Sequence, residues 1–200
     1  MRIGLFGGAF DPPHNAHVAL AQAALTQLSL NVLHVLPTGD AWHKPRDLTP
    51  GHHRLAMCQQ AFESFPNVVV DDLELKRPGP SYTVDTLAVL RERYAGAEFF
   101  VVLGLDQAAQ FVHWHQSDQI LAWAQLAIAD RSLEGQEKAA SPEWHNRAHL
   151  HLNMPLMPLS ATDIRQRCRT GEDLSSLLSP AVIQYIQNNH LYLDNHDRSF

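Results

Sequence analysis

Two histidines three residues apart, His14 and His17, stand where an apolar segment gives way to a helical pattern. Just upstream lie the pair Gly7-Gly8, then Ala9-Phe10-Asp11 and the prolines Pro12-Pro13. Neither glycine carries a Cβ, so a bulky ligand can come close to the backbone there. Three-residue spacing at a helix start lets both imidazoles face one side. The unpaired N–H groups of a helix N-terminus attract anions. Imidazoles beside them can donate to phosphate oxygens and balance charge that builds in a transition state. As structure alone, the same residues are a turn, a cap and one packed histidine. The chemistry they suit is that of a polyphosphate.

A second constellation is Ser160-Ala161-Thr162-Asp163-Ile164-Arg165. Ser160 with Asp163 three later has the form of a capping box, with Asp in place of the usual Glu. Capping accounts for those two residues and leaves Thr162 and Arg165 over. Hydroxyls, first-turn N–H groups and a guanidinium together make a second phosphate cradle. Other histidine groupings (His52-His53, His113 with His115, His149 with His151) lack the HExxH pattern, so no dedicated metal site is expected. Neither the GxGxxG fingerprint nor the GxxxxGK[ST] loop occurs, which disfavours a nicotinamide-dependent dehydrogenase or a P-loop kinase.

These residues must be positioned by the elements around them. Arg2–Phe6 reads as a strand ending at the glycines, followed by a helix with Val18, Ala21, Leu25 and Leu28 inward. Asn31–Leu36 is a second strand, and 37–47 is loop-like. Thr49 is expected to cap a helix starting at Pro50, with Leu55, Cys58, Phe62 and Phe65 on its core face. Asn67–Asp71 is a third strand and 76–81 a loop. Thr83–Tyr94 is a helix, and Glu98–Leu103 a fourth strand ending at Gly104. Ser117–Trp123 is a short helix before strand Leu126–Ala129, and 132–147 is polar and aperiodic. His149–Asn153 alternates as a strand. Helices then run over Ser160–Arg169, stopped by Gly171, and from Ser179-Pro180 to about Asn189. The expected fold is α/β: a Rossmann-like doubly wound parallel sheet with helices on both faces and a small helical C-terminal part from about 160. One domain spans 1–200. In such sheets ligands bind beyond the strands' carboxyl ends, where the strand order switches.

The net charge is −6 with no basic stripe, so nucleic acid is not expected as a partner. No apolar run approaches the roughly 20 residues that span a bilayer. Two isolated cysteines, Cys58 and Cys168, and no secretory leader point to the cytoplasm.

Gly-Gly-Ala-Phe-Asp-Pro-Pro-His-Asn-Ala-His resembles the GG(T/S)FDPxHxGH motif of nucleotidylyltransferases, and Ser-Ala-Thr-Asp-Ile-Arg resembles their ISxTxIR motif. Between them, Glu74-Leu75-Lys76-Arg77, Pro80-Ser81-Tyr82-Thr83 and Gly104-Leu105-Asp106 followed by Trp114 resemble the bacterial nicotinate-nucleotide adenylyltransferase family. Ala9 and Ala16 depart from the pattern, replacing a hydroxyl residue and a glycine without removing a charged group.

The resemblance implies transfer of AMP from ATP, with Mg²⁺, to nicotinate mononucleotide, forming deamido-NAD and pyrophosphate. It implies that Gly7, Gly8, Phe10, His14 and His17 line the ATP side. Ser160, Thr162 and Arg165 would hold the outer phosphates, with His14, His17 and Arg165 catalytic. It assigns Tyr82, Thr83, Asp106, Trp114 and Arg131 to the acceptor and makes Lys44 and Arg46, in the loop after the second strand, candidates to bind phosphate or pyrophosphate. ATP and nicotinate mononucleotide are the partners expected, with no nucleic acid and no membrane; a homo-oligomer is compatible. Two alternatives stay open: phosphopantetheine adenylyltransferase, whose chains are shorter and lack the middle motifs, and a nucleotide-binding module that performs no chemistry.

Overall fold

The computed structural model describes residues 1–39, 48–129, 148–155 and 157–193. The segments 40–47, 130–147 and 194–200 lie outside it, and with them Lys44, Arg46 and Arg131.

Six parallel strands form one sheet: β1 (Arg2–Gly8), β2 (Val32–Pro37), β3 (Val68–Val70), β4 (Glu98–Gly104), β5 (Gln125–Ala129) and β6 (His149–Leu152). Their order is β3-β2-β1-β4-β5-β6, so the order reverses between β1 and β4. The register pairs Gly4 with Phe100 and with Leu33, and Gly104 with Ala129.

Side chains alternate across the sheet, and both faces are covered, as the continuous apolar runs require. On one face Phe6, Leu33, Val35, Phe100, Val102 and Ala127 form a core with Leu20, Ala21 and Ala24 of α1 (Asn15–Gln27). Met57, Cys58 and Phe62 of α2 (Gly51–Phe62) join it. The opposite face carries Ile3, Leu5, Val101, Leu103, Leu126 and Ile128. They pack on α4 (Thr83–Arg93) through Val84, Leu87 and Leu90, on α5 (Leu105–Gln110) through Ala108, and on α6 (Ser117–Trp123) through Ile120. A fully buried side chain such as Phe100 contributes roughly 1.5–3 kcal/mol over leaving it in water. α7 (Ala161–Thr170) and α8 (Pro180–Asn188) close the first face through Ile164, Val182 and Ile186.

Several local expectations are met: Ser160 Oγ accepts the Asp163 N–H at 3.1 Å, and Gly171 ends α7 at φ 69°. Others are corrected. Gly7 and Gly8 belong to β1 rather than following it. Thr49 does not cap α2: Pro50 precedes the helix, and the Thr49 N–H goes to Asp11 instead. The α2 core face carries Arg54 and Met57 with Cys58, Ala61 and Phe62, while Leu55 is half-buried. Two short helices arise where none was expected, α3 (Leu73–Lys76) and α5, the latter followed by a 3₁₀ turn at Phe111–His113. Each is too short to carry a hydrophobic period.

Candidate active site

The sheet sets the site at the carboxyl ends of β1 and β4, on either side of the reversal in strand order. At the end of β1, Gly7 leaves open space where a side chain would stand. A Cβ on Gly8 would press to 3.1 Å on the Phe10 ring, which is 2% exposed and has nowhere to retreat. Phe10 itself takes φ 46°, in the left-handed region. Its ring faces inward, against Phe6 at 5.3 Å and His17 at 5.0 Å. Phe10 thus meets the site as the support under His17.

His14 is the residue before α1 and has extended backbone, so the helix opens between the two histidines. Their rings stack at 3.7 Å between centroids and 24° between planes. His17 Nδ1 accepts the backbone N–H of His14 at 3.1 Å. That acceptance assigns the tautomer: a neutral His17 carries its proton on Nε2, which is therefore a donor. The start of α1 is tied to the C-terminal part of the chain, Asn15 N–H donating to the Leu177 carbonyl at 2.9 Å and Asn15 Nδ2 to Ser176 at 3.1 Å.

Arg165 reaches this corner from α7. It is buried, and donates from Nη1 to the Asp11 carbonyl at 2.7 Å and from Nη2 to Thr162 Oγ1 at 3.1 Å. The two motifs, some 150 residues apart in sequence, are therefore one structure. Ser160, the cap residue of α7, and Thr162 on its first turn are both exposed.

On the β4 side, Tyr82 precedes α4 and Thr83 is its first residue. The Tyr82 ring lies 4.4 Å from His115, 33° from parallel. Trp114 follows the 3₁₀ turn, half-buried and 5.4 Å from Phe111, and Asp106 is exposed on the first turn of α5. The Tyr82–His115 contact joins the segment before α4 to the one before α6 and gives His115 a position that its neighbours in sequence did not.

A family model described as cytidylyltransferase-like matches residues 5–167. A probable nicotinate-nucleotide adenylyltransferase of Albidiferax ferrireducens is 48% identical over 193 residues, covering 96% of this chain and 98% of its own. The chain belongs to the cytidylyltransferase-like family, in its nicotinate-nucleotide adenylyltransferase branch. A second such relative, from Bordetella petrii, is 39% identical over 197 residues, with 96% and 98% covered. The solved Plasmodium falciparum nicotinic acid mononucleotide adenylyltransferase complexed with NaAD superposes with a TM-score of 0.76 at 21% identity, covering 96% of this chain and 97% of that one. At that identity the likeness is one of fold.

Of four supporting residues in this adenylyltransferase-family chain, Asp11 and Glu74 lie in the motifs without a role of their own there, and Arg54 and Tyr192 lie outside every motif. Arg54, 2% exposed, donates from Nε to the Thr49 carbonyl at 2.8 Å and from Nη1 to the Ala9 carbonyl at 2.9 Å. Asp11, 1% exposed, accepts from Thr49 N–H and from the Tyr192 hydroxyl. Glu74 is buried against Thr86, below the start of α4. An arginine on an otherwise apolar helix face was the available signal for Arg54. Tyr192 had none, because its partner is 181 residues away.

Proposed function

We propose that this chain joins the 5′-phosphate of nicotinate mononucleotide to the AMP part of ATP, forming deamido-NAD and pyrophosphate. The observation that carries this reading is the likeness over nearly the whole length, at 48% identity, to a protein named for that activity.

An oxygen of the acceptor's phosphate attacks the α-phosphorus of ATP in line. A new P–O bond forms as the bond from that phosphorus to the α,β-bridging oxygen breaks, and pyrophosphate leaves with the electron pair. The attacking phosphate is already ionised near neutrality, so no general base is required, and catalysis rests on positioning and charge stabilisation. His17 Nε2–H and the His14 ring face the α-phosphate, where negative charge builds. Arg165, with Ser160, Thr162 and the first turn of α7, receives the β- and γ-phosphates. Trp114 offers a face to the pyridine ring, and Asp106 and Thr83 flank the acceptor. The N–H groups around Tyr82-Thr83, at the start of α4, suit a carboxylate better than a carboxamide. Arg131 completes the proposed acceptor set, and Lys44 and Arg46 are the proposed partners of phosphate or pyrophosphate.

Among the described residues no three His, Cys, Asp or Glu side chains come together as a metal cage. Mg²⁺ enters this proposal with the phosphates of ATP, a mode typical of that ion, and supplies charge neutralisation there. The proposal places the reaction in the cytoplasm and involves neither nucleic acid nor membrane. No helix among the described residues is long and apolar enough to cross a bilayer.

The test is pyrophosphate release from ATP and Mg²⁺ with nicotinate mononucleotide, nicotinamide mononucleotide or phosphopantetheine as acceptor. Nicotinate mononucleotide is expected to give the highest kcat/KM. Equal values for the two pyridine nucleotides would refute carboxylate recognition. Release with phosphopantetheine alone would assign the sibling reaction, and no release with any acceptor would favour a binding module.

A further inference from the structure

Tyr192 lies beyond α8, far in sequence from every motif that marks the site. Its hydroxyl nevertheless donates to Asp11 Oδ1 at 2.7 Å, in the middle of the first motif. The other carboxylate oxygen, Oδ2, accepts the Thr49 N–H at 3.3 Å. Asp11 is 1% exposed, and a buried carboxylate is costly unless its oxygens are hydrogen-bonded. The Tyr192 hydroxyl also lies 3.8 Å from Met57 Sδ in the core.

The backbone reinforces the impression of a built contact. Tyr192 takes φ 66° and His190 φ 49°, left-handed values that cost a non-glycine residue free energy and persist where surrounding structure holds them. The loop that Tyr192 grips is held by two arginines as well. Arg54 takes the Ala9 carbonyl and Arg165 takes the Asp11 carbonyl, so the backbone between β1 and His14 is fixed by α2, α7 and the C-terminal segment together.

We propose that Tyr192 is a positioning residue for the nucleotide site, acting through the Asp11 carboxylate to set the loop on which Arg165 and the two histidines depend. The inference rests on the adenylyl-transfer reading above. Without the Tyr192 hydroxyl, the buried carboxylate loses the shorter of these two hydrogen bonds, and Asp11 turns to recover one. The Asp11 carbonyl moves with it, and Arg165 moves with the carbonyl. Phosphate contacts are sensitive to displacements on the order of an ångström. Among the described residues, none of these contacts involves Trp114, Asp106 or Thr83.

The experiment is Tyr192→Phe, which removes the donor and keeps the ring against Met57. The KM for ATP is expected to rise about tenfold, less than the ~100-fold that an ångström of misplacement can cost. The KM for nicotinate mononucleotide should stay within about twofold, as expected when only one substrate's binding is altered. In an Asp11→Asn background, Tyr192→Phe should add little, because its effect passes through that carboxylate. A lowered Tm with unchanged KM for ATP would overturn the proposal in favour of a structural role. So would a loss of the wild-type far-UV CD spectrum, or fully additive effects in the double variant. Direct titration of both chains with MgATP separates the two readings. If wild-type chain binds ATP but releases no pyrophosphate with nicotinate mononucleotide, the acceptor assignment fails. The Tyr192→Phe affinity then still decides this inference: weakened binding supports it and equal binding overturns it.

Discussion

Thr86 Oγ1 donates a hydrogen bond to Glu74 Oε1 at 3.0 Å, joining α3 to α4 inside the molecule, one turn below the Tyr82-Thr83 corner. Burial pushes the Glu74 carboxyl up to about 7, against the opposing pull of Thr86, Arg77 and Arg54. The folded chain therefore binds a proton here that the unfolded chain has released between about pH 4.5 and 7. The contribution of this protonated carboxyl to stability is fully present below the lower value and is lost as pH rises through the upper one. The expected loss is on the order of 3 kcal/mol. Glu74→Gln, which keeps an acceptor for Thr86 and cannot ionise, should gain in Tm relative to wild type as pH rises from about 5 to 8. Thermal melts across that range test this, and a constant difference would show that Glu74 does not titrate there.

Asp71 behaves in the opposite sense. Its hydrogen bond with His34 at 3.1 Å, then the Leu73 N–H and Arg93, hold its carboxyl at about 2 despite partial burial. His34 is buried in the middle of β2 and also meets the Tyr94 hydroxyl at 3.1 Å, so the group links the sheet to the end of α4. The stability Asp71 supplies is present above its unfolded value near 3.8 and is lost as pH falls through about 2. Asp71→Asn should cost about 1.5–3 kcal/mol at neutral pH, the range for hydrogen bonds to a charged group. Urea denaturation at pH 7 and again near pH 2 checks it: the deficit should shrink in acid.

His17→Ala should lower kcat by about 10²–10³, the usual consequence of removing a donor aimed at developing negative charge. Its ring leans on Phe10 and His14 at the start of a helix and is only half-buried, so the Tm should change little. Near-normal turnover in a folded variant would remove His17 from the mechanism.

Arg165→Lys keeps the charge and loses the fork that reaches both the Asp11 carbonyl and Thr162. An ammonium cannot reproduce that planar geometry. The expected result is a fall in kcat/KM for ATP of about 100-fold, since two contacts of a charged group are lost. Steady-state kinetics at varied ATP, alongside CD, would show whether the charge alone suffices.

Much of the fold was legible because its signals are local. The apolar runs at Ile3–Phe6 and Phe99–Leu103 announce buried strands, and Ser160 and Gly171 mark the ends of α7 by the chemistry of capping. The helix at Ser117–Trp123 falls where its sequence pattern places it. His14, His17 and Arg165 stood out as candidates because glycines and prolines precede the histidine pair, capping leaves Arg165 over, and both stretches resemble family motifs. The sequence by itself determined an α/β chain with two phosphate-suited corners. Only the tertiary structure decided what joins the corners, the hydrogen bond from Arg165 to the Asp11 carbonyl. It also turned Phe10 inward to carry His17, withdrew Thr49 from its expected cap to serve Asp11, and brought Tyr192 to the same carboxylate. The physical reason is range: a cap or an amphipathic stripe is encoded within a few residues, whereas a buried carboxylate takes its donors from wherever the packed sheet and helices bring them.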